Sequence, residues 1–359
     1  MAAIHQLVAG FVRGDAISNE ALAMRRIFRS WGYESEIFCE AKRILPEMRK
    51  EARDIGECVL SCRPEDLVLL HLSIGSAVNE LFPTLPARKA LLYHNVTPSR
   101  YFRVVQPRIA YDLDKGLKQV KALAGVAAVN MADSRFNAAE LAAAGYENVK
   151  VLPLVLDPDV LKTPPDRATL RQFSDGKVNV LFVGRCVPNK RIDDLLKAFA
   201  YFQSSVEPNS RFIHAGSSAG TERYHRLLLT MIHDMGVADV TFTGTVTQAE
   251  LNACYRSAHV FLCMSEHEGF CIPLMEAMWH DVPVLAFAAA AVPETMDGAG
   301  CLFRDKAYPA VAEMMGRLAR DRTLREVVLA EQRRRVTRFM ARDLAGELKQ
   351  HLAEVLPAP

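Results

Sequence analysis

The chain is 359 residues long, 50% hydrophobic and 24% charged, with a formal net charge of +2. That length exceeds one ordinary hydrophobic core and predicts two domains. The near-neutral balance, with no basic stripe interleaved with aromatics, argues against a dedicated nucleic-acid binder, and the longest apolar run, residues 282–293, is broken by Pro283 and far too short to span a bilayer.

The first fifteen residues, MAAIHQLVAGFVRGD, have no basic start and too short an apolar stretch for a secretory signal, so a cytoplasmic protein is expected. Residues 4–11 read as a strand, Arg13-Gly14-Asp15 as a turn, and residues 16–29 as a helix with apolar positions at Ile17, Leu22, Met24, Ile27 and Phe28. Trp31-Gly32-Tyr33 stops that helix. Residues 36–39, 66–72 and 89–94 read as further strands, with Ser73-Ile74-Gly75-Ser76 at a strand-to-helix turn. Residues 127–131 and 149–152 continue the series around an Ala-rich helix at 135–144. Short apolar strands alternating with helices predict a parallel sheet covered on both faces.

Residues 156–176 break the rhythm, with Pro158, Pro164, Pro165 and no strong period, and read as an interdomain linker. The alternation restarts with a strand at 178–183, a helix at 192–202 and strands at 212–215, 240–242, 260–264 and 284–287. Residues 324–356 read as one long Arg-rich helical segment whose tail crosses back to the first domain. The expected fold is α/β, two doubly wound domains facing across a cleft. The boundaries are 1–165, 166–335 and a C-terminal helix at 336–359.

Ligands of open parallel sheets bind beyond the carboxyl ends of the strands, so chemistry is sought in the loops there. The stretch SEHEGFCIPLMEAM, residues 265–278, follows an apolar strand and runs into a helix expected near Pro273. Glu268 and Glu276 bracket that loop, and carboxylates accept hydrogen bonds from the hydroxyls of a sugar or ribose. Upstream, Gly184-Arg185 ends a strand and Pro188-Asn189-Lys190-Arg191 opens a helix. Cations sit unfavourably at a helix N-terminus, and Arg185 with Lys190 there suits a diphosphate, although the P-loop spacing is absent. In the first half, His94 ends a strand in YHNVTP, and Gly14 could bring backbone N–H groups to a phosphate.

The eight cysteines show no C-x-x-C pair and no zinc spacing, so free buried thiols in a reducing compartment are expected. Two D-x-D matches, Asp112-Leu113-Asp114 and Asp157-Pro158-Asp159, follow no clear buried strand. No metal site is expected.

Taken together, FVGRCVPNKRIDDLLKAF, SEHEGFCIPLMEAM, PVLAF and VPETMDGAG, joined by YHNVTP, resemble family 4 glycosyltransferases of the two-domain, Rossmann-like GT-B fold, most strongly over residues 178–304. The resemblance implies Glu276 on the donor's ribose, and Glu268 with the N–H groups of Gly269 and Phe270 on the donor sugar. It implies Arg185 and Lys190 on the diphosphate, His94 beside the transferred sugar, and Gly14 and Gly184 close to the donor. Three positions depart from glycines common in the family: Arg191, Asp281 and Ala290. The activity implied is transfer of a hexose with retention of anomeric configuration, without an obligatory metal or other cofactor. The donor implied is GDP-mannose or UDP-glucose, and the acceptor a glycan or lipid-linked glycan of surface-polysaccharide synthesis at the inner membrane face. Peripheral membrane contact through Arg100, Arg103, Arg108, Lys115, Lys118 and Lys121 stays open, as does a merely solvated helix face. Rival readings are a nucleotide-sugar epimerase of the same fold, a phosphorylase using pyridoxal phosphate, and a non-catalytic nucleotide-sugar-binding scaffold.

Overall fold

The structure is a computed structural model that describes residues 2–12 and 14–357; the turn residue Arg13 lies outside the described residues. Among the described residues, thirteen strands form two sheets. The first holds β1 (Ile4–Val8), β2 (Ile37–Cys39), β3 (Arg53–Asp54), β4 (Leu67–Leu72), β5 (Arg88–Tyr93), β6 (Val129–Ala132) and β7 (Lys150–Val151) in the order β3-β2-β1-β4-β5-β6-β7. The second holds β8 (Val178–Val183), β9 (Ser210–Ala215), β10 (Val240–Gly244), β11 (Val260–Cys263), β12 (Val284–Phe287) and β13 (Cys301–Phe303) in the order β10-β9-β8-β11-β12-β13. All pairings between these strands are parallel. Parallel strands are joined by helical crossovers that cover both faces, so central strands are apolar throughout. LVLLHL in β4 is buried at every position.

The chain divides into two compact units, Met1–Arg103 with Pro107–Val155 and Asp343–Pro359, and Val104–Gln106 with Leu156–Arg342. The tail joins the first unit because the helix Leu344–Leu352 carries an apolar stripe. Leu348, Leu352 and Val355 are buried in one cluster with Ile4, Met24, Phe28, Leu69, Leu92 and Met131. Tyr33 Oη donates to the Pro357 carbonyl at 2.8 Å and Arg88 Nη1 to that of Leu356 at 2.7 Å.

Several expectations are revised. Residues 156–176 hold two helices, Pro158–Leu161 and Arg167–Phe173, and belong to the second unit. Asp157 and Asp166 cap them, and Asn252 Nδ2 donates to the carbonyls of Leu161 at 3.1 Å and Thr163 at 2.8 Å. The unit boundaries thus lie near 155 and 343 instead of 165 and 336. The segment 324–356 is two helices, Arg322–Met340 and Leu344–Leu352. Gln332 ties the former to the second sheet through Val284 N–H and the Val282 carbonyl, both at 2.8 Å. The first strand ends at Val8, and Phe11 makes only an isolated bridge to Ile44.

Candidate active site

Strand order in the second sheet reverses between β8 and β11. The loops that follow adjacent strands there leave in opposite directions and open a crevice at the carboxyl edge, the usual ligand position of such sheets. Those are the loops that carry Gly184–Lys190 and Ser265–Cys271. Gly184 has φ 151° and Gly216 φ 153°. A Cβ on Gly216 would lie 2.0 Å from the Gly184 carbonyl oxygen, so only glycine permits this contact between neighbouring loops.

Buried Asn189 fastens the two switch-point loops together. Its side-chain amide donates to the His267 carbonyl at 3.1 Å, and its own carbonyl accepts from the Glu266 N–H at 2.9 Å. This register brings the Lys190 ammonium onto the Glu268 carboxylate, which is buried. Burial is the largest single influence and lowers the Lys190 pKa; the charge and hydrogen bond of Glu268, with the nearby Cys271 and Cys263, together outweigh it and raise the value, so the lysine stays protonated. Arg185 is exposed, its Nη2 donating to the Ala219 carbonyl at 3.4 Å. Arg191 is spent differently: its guanidinium pairs with Glu266, with Asp193 at 2.8 Å and with Asp194 at 3.0 Å. Lys306 meets Asp194 and Glu266 at 2.8 Å each. Arg191 therefore belongs to an internal ion network, which accounts for the third cation at this helix start.

Pro273 lies in the first turn of the helix Ile272–Trp279, as its sequence suggests, and Glu276 stands one turn in. Its Oε2 accepts from the Tyr255 hydroxyl at 2.7 Å. Burial raises the Glu276 pKa and the tyrosine's donated bond lowers it, with burial prevailing. Tyr255 escaped the sequence reading: nothing local to YRSAH shows that its hydroxyl reaches a carboxylate 21 residues on. Between the two glutamates, the Glu268 and Phe270 carbonyls accept from Ala291 N–H and the Thr295 hydroxyl. The Gly269 and Phe270 N–H groups have no intramolecular acceptor among the described residues. Two free N–H donors, a lysine–carboxylate pair, an exposed arginine and a half-buried carboxylate can together hold a ligand rich in hydroxyl and phosphate oxygens.

Residues 177–321, which span β8 to β13 and all of these side chains, match the family described as "Glycosyl transferases group 1". The match to group 1 glycosyl transferases lies within the second unit. A GDP-mannose-dependent alpha-(1-6)-phosphatidylinositol monomannoside mannosyltransferase of Mycobacterium tuberculosis (strain CDC 1551 / Oshkosh) is 33% identical over 202 residues, 53% of this chain and 50% of that protein. The O-antigen chain mannosyltransferase B of Escherichia coli is 25% identical over 152 residues, 42% of this chain and 39% of that protein. The chain thus aligns with about half the length, or less, of these curated relatives. Sucrose-phosphate synthase of Thermosynechococcus elongatus superposes with a TM-score of 0.76 over 100% of both chains at 17% identity, a likeness of fold. Two doubly wound α/β units of the GT-B class are what the two chains share.

The three positions where the resemblance leads one to expect glycine share one backbone conformation. Arg191, Asp281 and Ala290 have φ of 51°, 55° and 49°, so each occupies the left-handed conformation that glycine adopts freely.

The first unit holds the remaining two expected residues. Gly14 is an exposed turn residue with φ 75°, followed by Asp15, which caps the helix Ala16–Ser30 through Ser18 N–H at 3.1 Å. His94 ends β5 and is buried. Gln6 Nε2 donates to the Ala21 carbonyl at 3.0 Å, so its Oε1 accepts from His71 Nε2 at 2.9 Å. Burial, and then His94, push the His71 pKa well below its ordinary range. Neutral His71 therefore accepts on Nδ1 from His94 Nε2 at 2.8 Å. His94 Nδ1 donates to Asp133 at 3.1 Å. Both ring nitrogens of His94 are thus engaged within the unit, and Asp133, Gln6 and His71 fix its orientation. Nearby Glu20, which the sequence reading did not single out, is buried. Its Oε2 accepts from Val155 N–H at 2.8 Å, and its Oε1 has no partner among the described residues. Burial pushes its carboxyl up to about 7.

One further grouping was not expected. Cys263, Glu268 and Cys271 each offer a ligand atom within 4.8 Å of the others, although no metal spacing is visible in the sequence.

Proposed function

We propose that the chain transfers a hexosyl group, mannosyl before others, from a nucleoside-diphosphate donor to a glycan or lipid-linked acceptor, with retention of configuration and without an obligatory metal. The observation that carries this reading is the Lys190–Glu268 ion pair, which joins the loop after β8 to the loop after β11 within the stretch matched to group 1 glycosyl transferases; Arg185 lies on the first of these loops and Glu276 in the helix that follows the second. In this reading Glu276, oriented by Tyr255, accepts from the ribose hydroxyls. Glu268 and the Gly269 and Phe270 N–H groups hold the hexose. Arg185 and Lys190 meet the diphosphate, whose negative charge grows as the glycosyl–phosphate bond breaks. Lys190 then bridges carboxylate and phosphate, so the group that binds the sugar and the group that stabilises the leaving diphosphate are fixed by one ion pair. The acceptor hydroxyl attacks from the leaving-group face and passes its proton to a phosphate oxygen. The resemblance to the family further assigns Gly14 to the donor phosphates and His94, whose orientation Asp133, His71 and Gln6 fix, to the transferred sugar.

Guanine and mannose are favoured because the curated relatives named above are mannosyltransferases, one of them GDP-mannose-dependent. Calorimetric titration with GDP-mannose, UDP-glucose and ADP-glucose in EDTA tests this. Saturable binding of GDP-mannose, lost in Glu276→Ala, is the expected result; binding of none by folded protein refutes the donor site.

A lipid-linked acceptor would bring the protein to a membrane surface. No helix among the described residues is long and apolar enough to cross one. The helix Pro107–Ala122 exposes Arg108, Lys118 and Lys121 beside Tyr111 and Leu117, a surface suited to peripheral contact with anionic lipid. Co-sedimentation with anionic but not neutral vesicles is the expected result.

A further inference from the structure

We propose that Cys263, Cys271 and Glu268 form a site for a thiophilic divalent cation, zinc or cadmium, whose occupancy shuts the donor site. The site rests on geometry; only its inhibitory consequence rests on the donor reading above. Cys263 is the last residue of β11 and Cys271 the residue before the helix Ile272–Trp279. The loop between them closes on itself because Cys271 turns the chain with φ 71°. Its two ends thereby bring both sulfurs and a Glu268 oxygen within 4.8 Å of one another. Among the described residues this is the one such group of three or more His, Cys, Asp or Glu side chains. Cys263 Sγ donates to Ser265 Oγ at 3.4 Å.

Tetrahedral zinc with bonds of about 2.3 Å to sulfur and about 2.1 Å to oxygen places its ligand atoms roughly 3.5–3.8 Å apart. The cluster therefore needs a contraction of about 1 Å, small enough for side-chain rotation. Ser265 Oγ or a water supplies the fourth position. Two thiolates select zinc and cadmium over magnesium, manganese or calcium, so the metals common with phosphate ligands would not occupy it. Binding replaces two thiol protons with one divalent ion, and these protons are released. With Glu268 also coordinated, the site gains no net charge. What changes is the carboxylate: metal ligation takes it from Lys190 and from the hydroxyls of the donor sugar.

The test is a cadmium titration followed by the sulfur-to-cadmium charge-transfer band, with the melting temperature of each variant measured first. Wild type is expected to bind one equivalent. Cys263→Ser and Cys271→Ser are expected to lose the band, and Glu268→Gln to weaken binding about tenfold or more. Cys58→Ser, which alters a separate cysteine pair, is expected to leave it unchanged. Zinc is expected to raise the wild-type melting temperature, reversibly with EDTA, a readout that does not depend on a cysteine variant folding. Zinc is also expected to raise the apparent Kd for GDP-mannose at least tenfold, reversed by EDTA. Absence of the band and of the melting shift in folded wild type overturns the site, as does a band that survives both cysteine substitutions. Unchanged donor affinity in the zinc-loaded protein overturns the inhibition. A protein that binds cadmium in this pattern but no nucleotide sugar in EDTA keeps the metal site and refutes the donor reading instead.

Discussion

Glu20→Gln isolates the cost of one buried charge in the first unit. The Glu20 carboxyl is buried and titrates at about 7 against an ordinary 4.5. Its folded pKa is raised, so the stability linked to its proton is fully present below about pH 4.5 and lost as pH rises through about 7. The difference of about 2.5 units corresponds to about 3 kcal/mol. Glutamine keeps the oxygen that accepts from Val155 N–H and cannot ionise. Its amide adds a pH-independent cost of about 1–3 kcal/mol, because the Oε1 position has no partner. The diagnostic is therefore the change in the variant's relative stability with pH, which should move by about 2.5 kcal/mol in its favour between pH 5 and pH 8. Of the two tryptophans, Trp31 lies in the first unit and Trp279 in the second. Urea unfolding followed by fluorescence in a Trp279→Phe background thus reports on the first unit. A relative stability flat to within about 0.5 kcal/mol across that range would refute the buried-charge argument.

Three more outcomes follow from the site and its supports. Lys190→Ala should lower turnover by roughly two to three orders of magnitude and also destabilise the second unit by about 3 kcal/mol, because Glu268 is left buried and unpaired. Adding Glu268→Gln should restore much of the stability and none of the turnover; steady-state kinetics and thermal melts separate the two. Tyr255→Phe should raise KM for the donor about tenfold with a smaller change in kcat, since it removes only the hydrogen bond that aims Glu276. Asn252→Ala should cost about 2–3 kcal/mol in urea unfolding by freeing the carbonyls of Leu161 and Thr163, and should speed proteolysis within residues 156–166.

Both sheets are legible in the sequence because their central strands are buried on both faces and read as unbroken apolar runs, LVLLHL and VFLC among them. The edges are not. Arg53–Asp54 has no apolar residue, and Cys301–Phe303 exposes Leu302, so neither carries a strand signature. Residues 156–176 looked like a linker because prolines and short capped helices have no period, and the contacts that order them come from Asn252 far along the chain. For the site, residue type was legible and partnership was not. Lys190 and Glu268 belong to motifs 78 residues apart, and their ion pair exists only because β8 and β11 are neighbours. Cys263 and Cys271 fit no metal spacing because a closed loop, not a helical face, unites them.

Arg191, Asp281 and Ala290 share one backbone conformation and should nevertheless respond to glycine with different signs. A non-glycine residue in the left-handed region costs about 1–2 kcal/mol, and glycine returns part of that through its greater unfolded-state entropy. Ala290, at φ 49°, has only a methyl group to set against the strain, so Ala290→Gly should stabilise the second unit by about 1 kcal/mol. Asp281 is paired with Arg333 at 2.8 Å, but both side chains are about half exposed. Such a pair contributes about 0–1 kcal/mol, and Asp281→Gly should be close to neutral. Arg191 joins Asp193, Asp194 and Glu266, the second of which is almost fully buried. Arg191→Gly leaves three carboxylates crowded around Lys306 and Lys197, at a cost of about 3 kcal/mol or more that outweighs the relieved strain. Thermal melts of the three single variants decide this. Three shifts of the same sign would show that backbone conformation alone governs these positions; the expected order, Ala290→Gly above wild type and Arg191→Gly well below it, would show that the ion network around Arg191 outweighs the strain of its left-handed backbone.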